Sequence, residues 1–442
     1  MSFAGLGTFE SLRIRDYRLL WLGQVSTSLG QWMDIVTRGW LIYSLTGSSV
    51  QLGFSTAIRG VPLLLFSLLA GALADRSGRK LTLVVSQMTN AGLNVVLATL
   101  VVTGLIEPWH VYVAGFVAGS VQAFQQPARQ TLVGDIVGNR NLMNALALNS
   151  AALNGSRAIG PGVAGALIVL LGVGGSYYLQ AAMYLLATVW TVQMHVPTQD
   201  SLGRISEPIL QSIRGGFAYV AKEASIRTQI LMGLGPLTFG MSYNSMMPVI
   251  ARDVLHGGAA LQGILLSCIG AGALAGALFV ASMRRSHAYG LSVVLGGMAF
   301  SGAVFAFASS PWPLLSAVIG VFMGAFSVTY TTQNQTLLQI SAPRHLRGRV
   351  MSIYMLDRGT VPLVSLLTGF LVAEYGGPTA LRIMSSVAMA IVGVAVLTYP
   401  RILRLKVSLR DEDGNPIRVG RHGAASTAPA GEGAPSAARP PT

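Results

Sequence analysis

The sequence predicts an all-α membrane protein of twelve transmembrane helices in two pseudo-symmetric six-helix bundles, and three observations carry that expectation. The chain of 442 residues is 52% hydrophobic and only 10% charged, with a mean hydropathy of +0.57, whereas a soluble domain carries about a quarter charged residues. Its apolar runs of spanning length fall into two sets of six, divided by a polar stretch. Short motifs then recur between the sets at one shared offset: Ala70-Gly-Ala-Leu73 as Ala275-Gly-Ala-Leu278, Arg79 and Lys80 as Arg284 and Arg285, and Gln130-Thr-Leu132 as Gln335-Thr-Leu337. Repeats of this kind imply two bundles related by an axis along the membrane normal, with a substrate site near the midplane between them.

Each element follows from the need for about 20 mostly apolar residues per spanning helix. Residues 1–18 are polar and basic, without the short apolar core and small-residue cleavage site of a signal peptide, so the first span is expected to stay in the mature protein. Spans are expected at 19–45, 50–74, 81–104, 108–128, 142–171 and 174–195. The second set lies at 228–250, 259–282, 289–309, 312–334, 350–373 and 378–399. This divides the chain into an N-terminal bundle (1–196), a linker (197–227), a C-terminal bundle (228–400) and a tail (401–442). The linker is expected to be cytoplasmic and to carry an amphipathic surface helix around Pro208–Ala221. The tail is rich in Ala, Gly, Pro and Ser without apolar periodicity, a composition that cannot bury a core, and it is expected to be disordered and cytoplasmic.

Arg and Lys set the orientation. Alternate connections carry Arg76, Arg79 and Lys80; Arg129 and Arg140; Arg204, Arg214 and Lys222; Arg284 and Arg285; and Arg344, Arg347 and Arg349, while the opposite ones hold little beyond Arg252 and Arg382. Both termini are therefore expected in the cytoplasm. The formal charge of +14 would point to nucleic acid in a soluble chain, but here it sits between apolar spans, so lipid is the expected partner and nucleic acid is not. Cys268 has no partner cysteine, which leaves no disulfide framework and no Cys-based metal site. The histidines lie at span ends, in loops or in the tail, and no nucleophile triad or phosphate-cradling loop is present, so no enzyme, cofactor or metal is expected.

The hairpin from Gly71 to Lys80 reads GALADRSGRK. With Gly71, Leu73, Ala74, Asp75, Arg76, Gly78, Arg79 and Lys80, it resembles the loop between helices 2 and 3 of the major facilitator superfamily. That resemblance implies a rocking transporter in which Asp75 gates the cytoplasmic side, facing exposed N–H groups at the start of helix 11 near Arg349–Ile353. The equivalent loop of the second half lacks the Asp and the second Gly. The segments SLRIRDYRLLWLGQVSTSLGQWM, QQPARQTLVGDIV, RAIGPGVAG and RGRVMSIYML look like the bacterial exporter branch that includes the enterobactin exporter and macrolide-efflux proteins. Helix 4 lacks the Arg-x-x-x-Gly coupling pattern of many drug/proton antiporters in other branches, which moves the expected coupling role to Asp34.

Mechanism is expected from ionisable residues inside the spans, because burying charge in lipid is costly. Asp34 and Arg38 lie one helical turn apart and can pair; Asp34 is either a proton carrier or half of a permanent structural pair. Arg59 and Arg157 are either substrate contacts or buried cations satisfied by carbonyls or by Asp34. Gln122, Gln125, Gln126 and Arg129 form a polar stripe on the fourth span, and Thr329, Thr332, Gln333 and Thr336 one on the tenth. The family places helices 1, 4, 7 and 10 around the cavity, which would put Asn244 there too. Asp357 and Arg358 read as gate or interface charges. Gly160, Pro161 and Gly165 resemble the helix-5 bend of family exporters, or else serve small-residue packing. With the resemblance, these features predict a monomer that exports a small organic molecule (a drug, siderophore or other metabolite), anionic or phenolic, by proton antiport and alternating access. An importer or facilitator of the same fold, and a non-transporting receptor or scaffold, are the alternatives.

Overall fold

The structure is a computed structural model that describes residues 7–74, 78–195, 219–282, 289–343, 346, 350–351, 353–354 and 357–404. Asp75 and Arg76, most of the linker and the tail after Arg404 lie outside the described residues. No strand occurs among the described residues. Helices α1 (Arg15–Thr46), α2 (Ser49–Ala74) and α3 (Arg79–Val102) are followed by one long helical run, Pro108–Gln193. That run reverses at Gly138 (φ 65°) and Gly172 (φ 70°), left-handed positions where glycine meets no Cβ penalty. It therefore comprises α4 (108–137), α5 (139–171) and α6 (173–193).

The second half opens with α7, a composite of Ala224–Leu234, a π turn at Gly235–Phe239, a short Gly240–Ser242 turn, Tyr243–Val249 and a second π turn at Ile250–Val254. Pro236 and Pro248 account for the irregularity, since each withdraws an N–H from the i→i−4 ladder. Then come α8 (Ala259–Ser282), α9 (Tyr289–Ala308), α10 (Pro313–Ser341), α11 (Asp357–Tyr375) and α12 (Gly377–Thr398). Several starts carry proline in the first turn, at Pro108, Pro313 and Pro378, where its missing N–H costs nothing. Among the described residues, seven stretches are long and apolar enough to cross a membrane: α2, α3, the α5–α6 run, α8, α9, α10 and α12. Gly359–Tyr375 of α11 is a shorter apolar helix, and α7 is broken into pieces each too short to cross by itself.

The internal repeat is visible as packing. Gly115 and Gly119 of α4 lie against α2, the latter at the carbonyl of Arg59, and Gly320 and Gly324 of α10 lie against α8 at Ile269. Likewise Arg129 of α4 donates to Gln24 of α1, and at the matching positions Asn334 of α10 donates to the Gln229 carbonyl of α7.

Where the halves meet decides what lies between them. The apolar clusters that join both halves lie in the middle and toward the ends of α1 and α7 farthest from the chain termini: Met33 and Val36 with Tyr243, Leu265 and Met323, and Ile42, Leu52 and Val111 with Met246 and Val249. Nearer the termini, each described cluster belongs to one half, as with Tyr17, Leu83 and Leu132 or Ile226, Leu338 and Val350. Backbone approaches close the far side. Gly53 and Gly60 of α2 face Ser365 and Pro362 of α11, and Gly165 of α5 faces Gly263 of α8. At the rim, Ser49 Oγ donates to the Gly369 carbonyl at 2.9 Å, and the Tyr43 hydroxyl of α1 donates to Asp253 of α7.

Candidate functional site

A cavity of about 460 Å³ opens between the halves, lined from α1, α2, α4, α5, α7 and α11. Its apolar wall includes Trp32, Ile35, Leu52, Leu63 and Met241; its polar wall holds Arg38, Arg59, Arg157, Gln122 and Asn244. Among the described residues lining it there are three arginines and no carboxylate.

The acid lies behind that wall. Asp34 accepts from Arg38 Nε at 3.2 Å across one helical turn, and from Arg59 of α2 through the same oxygen. Arg38 is in turn fixed by donating Nη1 to the carbonyl and hydroxyl of Ser55 at 3.1 and 3.2 Å. Side-chain exposures of 9% for Arg38, 18% for Arg59 and 15% for Asp34 place the triad largely out of contact with solvent, where an unpaired charge would be expensive. Arg157 has no carboxylate partner among the described ion pairs; its guanidinium lies 5.4 Å from the centroid of the Trp32 ring, within the range of a cation–π contact. Three cations against one carboxylate leave the site net positive.

The candidates read from the sequence divide at this point. Arg38, Arg59, Arg157, Gln122 and Asn244 are brought together in the cavity, with Asp34 one layer behind. Gln125, at 2% exposure, is buried in the helix packing instead, and Gln126 is not among the lining residues. One further turn along α4 carries a side chain about 5.4 Å toward the termini, past the lining. On α10, Gln333 is buried and Thr332 is exposed; neither is among the residues lining the cavity, which come from α1, α2, α4, α5, α7 and α11.

The hairpin and helix-5 motifs act as fasteners among the described residues. Gly71 lies in the last turns of α2 and Gly78 caps α3. Arg79 pairs with Asp135 near the end of α4, and Lys80 Nζ donates to the Val192 and Met194 carbonyls at 2.7 Å each, satisfying the C-terminus of α6. Side chains of Asp357 and Arg358 lie outside the description. The backbone stays helical across Gly160, Pro161 and Gly165, since non-helical angles in this run occur only at Gly138 and Gly172. Those residues pack: Gly160 sits on Trp32 and Gly165 on α8. Pro161 offers no N–H to the Arg157 carbonyl, which faces Gly270 of α8 so closely that a Cβ there would be 2.4 Å away.

Sequence reading missed Trp32, Ser55 and Asp135. Asp135 had a signal in the basic residues of the neighbouring hairpin, but the fourth span was ended before it. Trp32 and Ser55 carried none, because their roles depend on which helix faces which.

The comparisons with known proteins agree with this architecture. Over 399 residues the chain is 25% identical to the staphyloferrin A transporter of Staphylococcus aureus, covering 88% of this chain and 96% of that protein. It is 26% identical over 406 residues to the multidrug efflux pump Tap of Mycolicibacterium fortuitum, covering 88% and 97%. It is also 26% identical over 380 residues to the enterobactin exporter EntS of Escherichia coli, covering 84% and 89%. In fold it is similar to the nucleoside transporter NupG (TM-score 0.68, 13% identity, 87% of this chain and 99% of that one). A peptide transporter of the POT family is similar too (TM-score 0.67, 14% identity, 89% and 96%). Residues 6–412 match the family described as transmembrane secretion effector. That match spans most of the chain, which therefore belongs to the transmembrane secretion effector family of the major facilitator superfamily.

Proposed function

We propose that the protein exports a small organic acid or phenolic metabolite, siderophores and acidic drugs among them, from the cytoplasm across the bacterial inner membrane in exchange for protons. One observation supports the reading above the others: the cavity wall presents Arg38, Arg59 and Arg157, while the nearby acid, Asp34, is held behind it by two of them. A fixed positive field in a low-dielectric cavity attracts anions and repels permanent cations. Asp34 and an anion in the cavity would share Arg59, which pairs with the acid and also lines the substrate space. Proton and substrate thus act on one arginine.

In this reading twelve spans form the bundles 1–196 and 228–400, joined by the linker 197–227, with both termini and the tail 401–442 in the cytoplasm. The described contacts between halves lie away from the termini, which corresponds to a cavity facing the cytoplasm. Asp75 would then join the halves on that side in the opposite state. The transporter works as a monomer.

Inverted membrane vesicles containing the protein, given an imposed pH gradient and labelled salicylate as the probe acid with ethidium as the comparison cation, test the proposal. Gradient-dependent accumulation of salicylate, absent from vesicles without the protein, is expected. Movement only out of the vesicles would make it an importer. Equal, gradient-independent movement would make it a facilitator, and none of either compound across a panel of acids and cations would favour a non-transporting role.

A further inference from the structure

Arg38 and Arg59 border two cavities. Besides the large one, they line a small chamber of about 20 Å³, whose lining includes Asp34, Asn90 and Asn94 of α3, Gly115 and Ala118 of α4, and Tyr184 of α6. Asp34 borders the chamber and is not part of the large cavity's lining. The two guanidiniums are therefore a partition, with the acid on one side and the substrate space on the other.

The chamber has the size and chemistry of a water site. A volume of about 20 Å³ exceeds the minimum for one water, which also needs two to four polar partners. The Asp34 carboxylate, the arginine N–H groups and the Asn90 and Asn94 amides supply them. Both asparagines donate Nδ2 along their own helix, to Ser86 and Asn90 carbonyls at 2.9 and 2.7 Å, which leaves their side-chain oxygens as acceptors. The charged and titratable groups facing Asp34 are Arg38 on α1, Arg59 on α2, and Tyr177 and Tyr184 on α6. α3 and α4 contribute only amide, apolar or small residues to the chamber.

We infer that this chamber holds the water through which Asp34 exchanges its proton, so that proton and substrate reach the Arg38–Arg59 partition from opposite sides. The inference rests on Asp34 being the proton carrier of the proposed antiport. It adds that the proton does not travel through the substrate cavity. Such separation explains how a negatively charged substrate and a proton are kept from meeting and neutralising each other directly, since the arginines stand between them.

Infrared difference spectra of the full-length protein in lipid test this without any substrate. On acidification the wild type is expected to gain a protonated-carboxyl band that Asp34→Asn lacks, and the band should shift promptly in heavy water. Ala118→Leu fills the chamber and Asn94→Leu removes an amide from it. With the water gone, exchange must wait for local opening, so each variant should slow the shift about tenfold or more. Asn154→Trp, which crowds the large cavity, should leave it at the wild-type rate. The two chamber variants act through volume and through polarity, so either one decides the matter if the other fails to insert. A prompt shift in the chamber variants, with or without slowing in Asn154→Trp, would overturn the inference while leaving Asp34 as the carrier. Absence of the Asp34 band in the wild type at every pH would remove the carrier assignment and this inference with it.

Discussion

Asp34 accepts two guanidiniums through one oxygen, so its protonation state and its hold on Arg59 are a single event. Replacing it with the neutral amide mimics the protonated form permanently. Asp34→Asn should therefore abolish salicylate movement driven by a pH gradient yet keep exchange of labelled for unlabelled salicylate across vesicles at equal pH; unchanged gradient-driven movement would reduce Asp34 to a structural partner. Farther toward the termini, Arg79 and Asp135 join α3 to α4 with side chains 25% and 20% exposed. Between the small value of exposed pairs and the large cost of breaking buried ones, Arg79→Ala should destabilise by about 1–2 kcal/mol. The exchanged pair Arg79→Asp with Asp135→Arg should recover part of it in a double-mutant cycle on the melting temperature. Additive losses would show that the pair contributes nothing. At this scale the sequence was legible for what lies along one helix and silent about what lies across two. The turn spacing of Asp34 and Arg38 was sufficient to pair them, whereas the choice between Arg59 as ion-pair partner and as substrate contact depended on the distance from α2 to α1, which no periodicity encodes.

Helix identities were legible because membrane burial writes them as long apolar runs, and their ends were less so. α4 runs on to residue 137 and α10 to Ser341, beyond the apolar runs that announce them. The added turns mix buried apolar residues such as Leu132, Val133, Leu337 and Leu338 with polar ones, a pattern whose mean hydropathy does not distinguish a continuing helix from a loop. Helix-to-helix approach was partly visible: glycines and small residues marked α5, but that α2 and α11 form the other tight seam appears only in three dimensions. At Gly60 an added Cβ would lie 2.1 Å from Pro362 Cγ, and a rigid proline ring has nowhere to turn. Gly60→Val should push α2 from α11 and favour the state in which this seam is open. On a Cys268→Ser background carrying Ser49→Cys, whose native hydroxyl is buried against Gly369, alkylation should accelerate about tenfold or more as the closed population falls. Wild-type labelling rates would show that this seam does not control access.

For the whole molecule, the uneven distribution of charge between the two repeated halves is the feature with most bearing on substrate. Arg129 stands where the second half has Asn334, and Arg38, Arg59 and Arg157 all belong to the first half. The second half contributes Met241, Asn244, Ser245, Val361, Pro362 and Ser365 to the cavity. One half therefore offers charge and the other offers apolar and weakly polar contact, which fits a ligand with an acidic end and an apolar or aromatic body. Arg157 over Trp32 adds a platform on which an aromatic acid can place both its charge and its ring. Calorimetry on purified protein should show salicylate and larger aromatic acids binding more tightly than ethidium. Removing the charge with Arg157→Gln should weaken aromatic acids by about tenfold, or 1.4 kcal/mol, and Trp32→Leu should weaken them more than aliphatic acids of the same charge. Arg157 is the informative position because Arg59→Gln also strips Asp34 of a partner and so changes two things at once. Tight binding of ethidium that is indifferent to Arg157, with none of the acids, would mean that the arginines serve only to hold the helices together, and the substrate would then have to be sought among cations and neutral molecules.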